Sequence, residues 1–179
     1  IKEAIKKNNG WGSNVIVSDE TKQVLETGGG LLKARGLLES SEPFVTLNVD
    51  ILTDLNLNKL FEFHTKRQPL ISFGVTSRET SRYFLFDEND RLCGWRNTKT
   101  GDEIISVSKP SLIQKAYSCV VIFQPEVFGL IKQTGKFSLT ETYLDLAKDN
   151  LILGFDHSGD KLVDVGKPES VAIAEKLFS

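Results

Sequence analysis

The sequence predicts an α/β domain built on a mixed sheet, and three observations predict it. Short apolar, β-favouring runs alternate with segments whose large apolar residues recur at helical spacing, the order that builds a sheet covered by helices. A leucine-rich helical segment over 31–38 feeds a hydrophobic strand over 44–50 through a loop carrying Ser40, Ser41 and Pro43. Two further strand-like runs, 83–86 and 92–95, flank the polar stretch Asp87-Glu88-Asn89-Asp90-Arg91, so an antiparallel hairpin is inserted and the sheet is mixed.

Composition narrows the possibilities. At 179 residues and 40% hydrophobic, the chain can bury one core and is short for two, so a single domain over 1–179 is expected. The 22 basic and 24 acidic side chains leave a net charge of −2 with no long run of either sign, which argues against a nucleic-acid groove or a basic membrane patch. No apolar run is long enough to span a bilayer and no signal-peptide pattern opens the chain, so a cytoplasmic protein is expected. Cys93 and Cys119 each sit inside a strand-like run and read as packed thiols. His64 and His157 have no cysteine or second histidine at ligand spacing, so zinc is not expected. The chain has no Met and opens on the helical spacing of Ile1, Ala4 and Ile5 without a capping residue, from which a fragment of a longer protein is expected.

In chain order, the opening helix stops at the turn signal Asn8-Asn9-Gly10, and 14–18 reads as a short strand. A glycine-rich connection, Glu26-Thr27-Gly28-Gly29-Gly30, leads into the helix over 31–38. After the strand over 44–50, residues 58–64 read as a helix and 70–75 as a buried strand. The inserted hairpin follows, then a strand over 117–123. Pro125 stands where the first position of the next helix is expected, because its missing N–H costs least there. Ser138-Leu139-Thr140-Glu141 fits a capping box opening another helix. Residues 151–155 and 162–166 read as a strand pair around His157-Ser158-Gly159-Asp160, and 168–178 as a closing helix.

Three features carry chemical content. Gly28, Gly29 and Gly30 would let backbone N–H groups approach a base or phosphate closely at a helix start, yet they match neither a Walker A motif nor a dinucleotide fingerprint, and a tight turn explains them too. Asp50 ends a hydrophobic strand, where ligands of open α/β sheets bind. Asp164 likewise follows apolar residues and precedes a glycine. Together the two acids would form a hard oxygen site suited to Mg²⁺, although Asp50 could equally cap a turn.

Leu25-Glu26-Thr27-Gly28-Gly29-Gly30, Asn48-Val49-Asp50-Ile51-Leu52 and Asp164-Val165-Gly166-Lys167-Pro168-Glu169-Ser170 occur in the order seen in the sugar-nucleotidyltransferase family. The chain resembles its mannose-1-phosphate guanylyltransferase and N-acetylmuramate-1-phosphate uridylyltransferase branch along nearly its whole length. That resemblance implies a Rossmann-like, three-layer mixed sheet of the nucleotide-diphospho-sugar transferase type, N-terminally truncated. It also implies transfer of a nucleoside monophosphate from a nucleoside triphosphate to a sugar 1-phosphate, with release of pyrophosphate.

Carried over residue by residue, Asp50 and Asp164 would hold Mg²⁺. Glu26, Thr27, Gly28 and Gly29 would form the nucleotide site, and Asn48, Tyr117, Ser118, Lys136 and Ser138 the sugar side. Catalysis would rest on positioning and charge neutralisation, without a covalent intermediate. Two departures qualify the transfer. The family's N-terminal strand and glycine-rich loop, with its arginine and later lysine, have no counterpart here, so these residues alone are expected to be weak catalysts. The family usually has glycine at the position of Cys119, so a side chain there should narrow or reshape the pocket. The alternative is a catalytically inactive nucleotide-sugar-binding or regulatory module of the same fold. A metal-dependent glycosyltransferase ranks last, because the acids here are Asp50 and Asp54 rather than in D-x-D spacing.

Overall fold

The structure is a computed structural model that describes residues 1–38 and 40–179. Its centre is β7 (Ile113–Phe123), an eleven-residue strand that serves three neighbours. On one side lies β3 (Ile71–Thr76), antiparallel to it and buried along its whole length, with β8 (Ile152–Asp156) parallel beyond. On the other side the N-terminal half of β7 pairs with β4 (Arg82–Phe86), and its C-terminal half with β1 (Phe44–Leu47). The hairpin continues from β4 through β5 (Leu92–Asn97) to β6 (Glu103–Ile105). The expected mixed sheet is present, with one parallel and otherwise antiparallel pairings. A separate two-stranded ribbon joins β2 (Ile51–Thr53) to β9 (Leu162–Asp164).

Helices cover both faces. On one, α4 (Leu57–Arg67) places Leu60 against Val120 and Ile122 of β7. Its first turn is secured by Asn56, whose Oδ1 accepts the Lys59 N–H at 3.1 Å. On the other face, α2 (Glu26–Lys33), α5 (Val127–Leu130) and α6 (Leu139–Leu146) pack over a larger core that contains Phe73, Phe84, Phe123 and Tyr143. The alternation of β7 sorts its side chains, with Tyr117, Val121 and Phe123 toward α6 and Val120 and Ile122 toward α4. The short α1 (Lys2–Lys7) and α3 (Arg35–Leu38) flank this body, and α7 (Pro168–Phe178) follows β9.

Several expectations need correcting. Residues 14–18 belong to no strand, and Val15, Ile16 and Val17 are exposed; β-favouring side chains make a strand only where a partner ladder exists. The glycine stretch 28–30 is not a loop before a helix but part of α2 itself. The strand expected over 44–50 stops at Leu47 and is half exposed, with Asp50 in the following turn. The two runs after residue 150 do not pair with each other: β8 joins β3 and β9 joins β2, because a long-range partner was available to each. Pro125 precedes α5 by two residues rather than opening it. Strand β6, only three residues long and exposed, left no readable pattern in the sequence.

Candidate functional site

The site begins at the turn after β1. The Ile51 N–H donates to the Asn48 carbonyl at 3.1 Å, closing a turn whose third residue is Asp50, and β2 starts immediately after it. Pairing of β2 with β9 sets Ile51 opposite Asp164, and the Val165 N–H donates to the Asp50 carbonyl at 2.8 Å. The two carboxylates thereby converge over Gly166. A Cβ built there would lie 3.1 Å from Asp164 Oδ1 and equally far from Asp50 Oδ2, so glycine leaves the space into which both acids reach. Asp164 Oδ1 accepts the Gly166 N–H at 2.9 Å, which fixes its orientation.

This pair fits a hard divalent cation. Both acids keep access to solvent, and among the described residues no three His, Cys, Asp or Glu side chains cluster to cage a metal ion. Two carboxylates without a protein cage match the habit of Mg²⁺, which retains waters and takes its remaining oxygens from substrate phosphates.

Beside the acids opens a cleft of about 270 Å³. Its walls are aromatic: Phe84 and Trp95 stand opposite each other on β4 and β5, and Tyr117 and Tyr143 approach from β7 and α6. The Tyr117 and Tyr143 hydroxyls lie 3.3 Å apart, and burial pushes both phenols above their ordinary pKa, so they remain neutral hydrogen-bonding groups. Polar groups ring the opening, among them Asn48, Thr46, Arg82 and Thr140. Thr27 and Ser138 also reach it while capping α6. Thr27 Oγ1 accepts the Leu139 N–H at 3.1 Å, and Ser138 Oγ accepts the Thr140 N–H at 3.2 Å. Each hydroxyl accepts with a lone pair and keeps its own O–H to donate to a ligand.

Cys119 completes the cleft where it meets the acid pair. Its backbone has φ +58°, a left-handed conformation that favours glycine, and its carbonyl accepts the Asn48 N–H at 3.2 Å. Burial pushes the thiol up to about 11, with the Arg78 guanidinium opposing and the Asp50 and Asp164 carboxylates adding.

The structure therefore brings together Asn48, Tyr117, Thr27 and Ser138 in one cleft, with Asp50 and Asp164 at its edge. It takes the other candidates elsewhere. Gly28 and Gly29 are buried packing positions: the Gly28 N–H donates to the Phe137 carbonyl at 3.0 Å, and a Cβ on Gly29 would lie 2.1 Å from the Gly135 carbonyl oxygen. Their lack of side chains lets α2 approach the loop before α6. Glu26 and Lys136 pair with each other at 3.4 Å on the surface. Ser118 points to the opposite face of β7, where its hydroxyl meets His157 Nε2 at 2.7 Å. Arg82, Trp95 and Tyr143 were missed by sequence reading. Arg82 and Phe84 alternate along a strand, which marks a shared face, but not that the face opens into a cleft.

Comparison with known proteins agrees with this fold. The chain is similar to the catalytic subunit beta of mannose-1-phosphate guanylyltransferase from Drosophila melanogaster, 29% identical over 171 residues, which cover 93% of this chain and 43% of that protein. It is 33% identical over 107 residues to the regulatory subunit alpha of the same enzyme from Homo sapiens, covering 57% of this chain and 24% of that one. The solved structure of the inositol-1-phosphate CTP transferase from T. maritima superposes with a TM-score of 0.70 at 17% identity, over 94% of this chain and 67% of that one. The fold is that of the sugar nucleotidyltransferases. The resemblance seen in the sequence is thus borne out, and the Rossmann-like three-layer sheet it implied is the one observed. No protein-family model matches the chain. The chain spans less than half the length of the curated relatives it matches.

Proposed function

We propose that the protein containing this chain transfers a nucleoside monophosphate from a nucleoside triphosphate to a sugar 1-phosphate, and that this chain supplies the sugar cleft and the metal-holding acids. The observation that carries the reading is the convergence of the Asp50 and Asp164 carboxylates over Gly166, close enough to act on Cys119 in the cleft wall. Similarity to mannose-1-phosphate guanylyltransferases along most of the chain supports the reaction class.

The sugar ring would lie between the aromatic walls, with Asn48 and Ser138 meeting its hydroxyls; Thr27, expected at the nucleotide site, lines the same cleft. Its phosphate would point toward the acid pair. A phosphate oxygen of the sugar 1-phosphate attacks the α-phosphorus of the triphosphate; a new P–O bond forms, and the bond to the β-phosphate oxygen breaks to release pyrophosphate. A Mg²⁺ held by Asp50 and Asp164 would supply charge neutralisation for the phosphates. The chain's own task is positioning: Asn48 and the cleft walls orient the sugar so that its phosphate oxygen faces the α-phosphorus. Among the described residues no helix is long and apolar enough to cross a membrane, and the two free cysteines fit a reducing cytoplasmic setting.

The full-length protein should release pyrophosphate only when a nucleoside triphosphate, a sugar 1-phosphate and Mg²⁺ are all present. Asp50→Ala should abolish that release, and undiminished turnover in this variant would overturn the metal assignment. Likeness to a regulatory subunit favours one second reading, a nucleotide-sugar-binding module. Calorimetric binding of a nucleotide sugar with no pyrophosphate release under any combination of substrates would select it.

A further inference from the structure

The loop that joins β3 to β4 is held along its length. The Ser77 N–H donates to Ser158 Oγ at 2.8 Å, the Thr80 N–H donates to the Tyr83 hydroxyl at 3.0 Å, and the Ser81 carbonyl accepts the Thr98 N–H at 2.9 Å. From this loop Arg78 reaches back to β7, where its Nη2 donates to the Tyr117 carbonyl at 3.0 Å. That carbonyl lies between the segment of β7 paired with β4, which ends at Lys115, and the segment paired with β1, which starts at Val120. In the same stretch the Cys119 carbonyl accepts the Asn48 N–H. Tyr117 and Cys119 both line the cleft, so Arg78 and the turn that carries Asp50 hold the same short piece of its wall.

The charges around Cys119 place Arg78 more closely. Its guanidinium and the Asp50 and Asp164 carboxylates all act on that one thiol, the cation drawing its pKa down and the acids pushing it up. One guanidinium and two carboxylates therefore stand about the same side chain. The Arg78 side chain is exposed, and among the described residues no carboxylate pairs with it. Of its five N–H groups one is used on Tyr117, which leaves the rest of the fork for a ligand. Two carboxylates repel an approaching phosphate, and a single divalent cation does no more than offset their own charge. A further cation is needed beside them, and a guanidinium keeps its charge at every working pH and matches phosphate oxygens two at a time.

We propose that Arg78 is a phosphate-binding residue: with one N–H fixed on the Tyr117 carbonyl, its remaining N–H groups hold the phosphate of the sugar 1-phosphate beside the Asp50 and Asp164 carboxylates. This rests on the proposed function and deepens it, because it gives the attacking phosphate a cation supplied by this chain. The bond to Tyr117 and the anchored loop set the guanidinium before the ligand arrives, so little side-chain freedom is lost on binding.

The test is pyrophosphate release by the full-length protein and its Arg78→Gln and Arg78→Lys variants. Mannose 1-phosphate and glucose 1-phosphate are each offered with the common nucleoside triphosphates and Mg²⁺, and kinetics are taken on the pair that the wild type turns over fastest. Arg78→Gln keeps an N–H donor for the Tyr117 carbonyl and removes the charge. It should raise KM for the sugar 1-phosphate by about tenfold or more, the range of a lost hydrogen bond to a charged group, and leave KM for the triphosphate within about twofold of wild type. Arg78→Lys, which keeps the charge without the fork, should recover part of the loss. An unchanged KM for the sugar 1-phosphate in Arg78→Gln, or two KM values that rise together, overturns the role of Arg78 and leaves the proposed function standing. Absence of pyrophosphate release by the wild type from every pair overturns both.

Discussion

The two faces of β7 carry polar groups in different ways. Toward α6, Tyr117 and Cys119 border a cleft whose hydroxyls, amide and guanidinium meet open space. Toward α4, the polar groups are sealed. His64 has no exposed surface and lies between Ser72 Oγ at 2.9 Å and the Gln124 amide at 3.0 Å, while His157 meets Ser118 at 2.7 Å. One face gathers its polar groups at an opening, while on the other His64 and Ser118 find their partners inside the protein. Buried polar groups with partners are structural, whereas polar groups gathered at an opening are candidates for function.

The sharpest way to break this contrast is at the glycines on the cleft side. Gly29→Ala drives a methyl into the Gly135 carbonyl oxygen, backbone against backbone. It should cost about 3 kcal/mol in denaturant melts. A variant of unchanged stability would show that α2 does not depend on this close approach and would reopen a ligand role for the glycines.

Acid should strike the sealed face next. Burial lowers His64 from 6.5 to about 4, so between those values the unfolded chain binds a proton that the folded chain refuses. Stability is then fully present above about pH 6.5 and falls as the pH drops toward 4, by about 2 kcal/mol between pH 7 and pH 5. His157 is lowered in the same direction, again by burial, and adds to the slope. Urea titrations at the two pH values should show a smaller difference in His64→Gln than in the wild type. An equal difference would mean that His64 is not the group responsible.

The smallest effect tests the division between faces directly. Ser118→Ala removes the hydrogen bond to His157 and should lower stability by about 1 kcal/mol. The affinity for a sugar 1-phosphate should stay within twofold or so of wild type, because Ser118 does not reach the cleft. A large loss of affinity with unchanged stability would place Ser118 on the sugar side after all.

Much of the architecture was legible in the sequence because its signals are local. The run 70–75 is apolar but for Ser72 and gave the fully buried β3; the polar break 87–91 became the turn between β4 and β5; and Pro168 opens α7 as an N-terminal proline should. Residue type and position singled out Asp50 and Asp164, and the family resemblance Asn48; the structure brings the two acids together and sets Asn48 in the cleft. The site was illegible where meaning depends on direction. Tyr117 and Ser118 are neighbours in sequence and were grouped together, yet the alternation of the strand sends them to opposite faces. Half of the expected capping box is present, with Ser138 capping the first turn of α6.

The sequence by itself located most of the strands and helices, and the side chains that could hold a cation, since periodicity, caps and carboxylates are properties of a few consecutive residues. Only the tertiary structure decided that Asp50 and Asp164 meet, because their approach depends on the register of β2 against β9. It alone decided that the glycines of α2 serve packing, because a missing Cβ has no meaning until the atoms that would clash with it are in place. It also set Cys119 in the cleft, where β7 breaks register against β3 between the segments that pair with β4 and with β1.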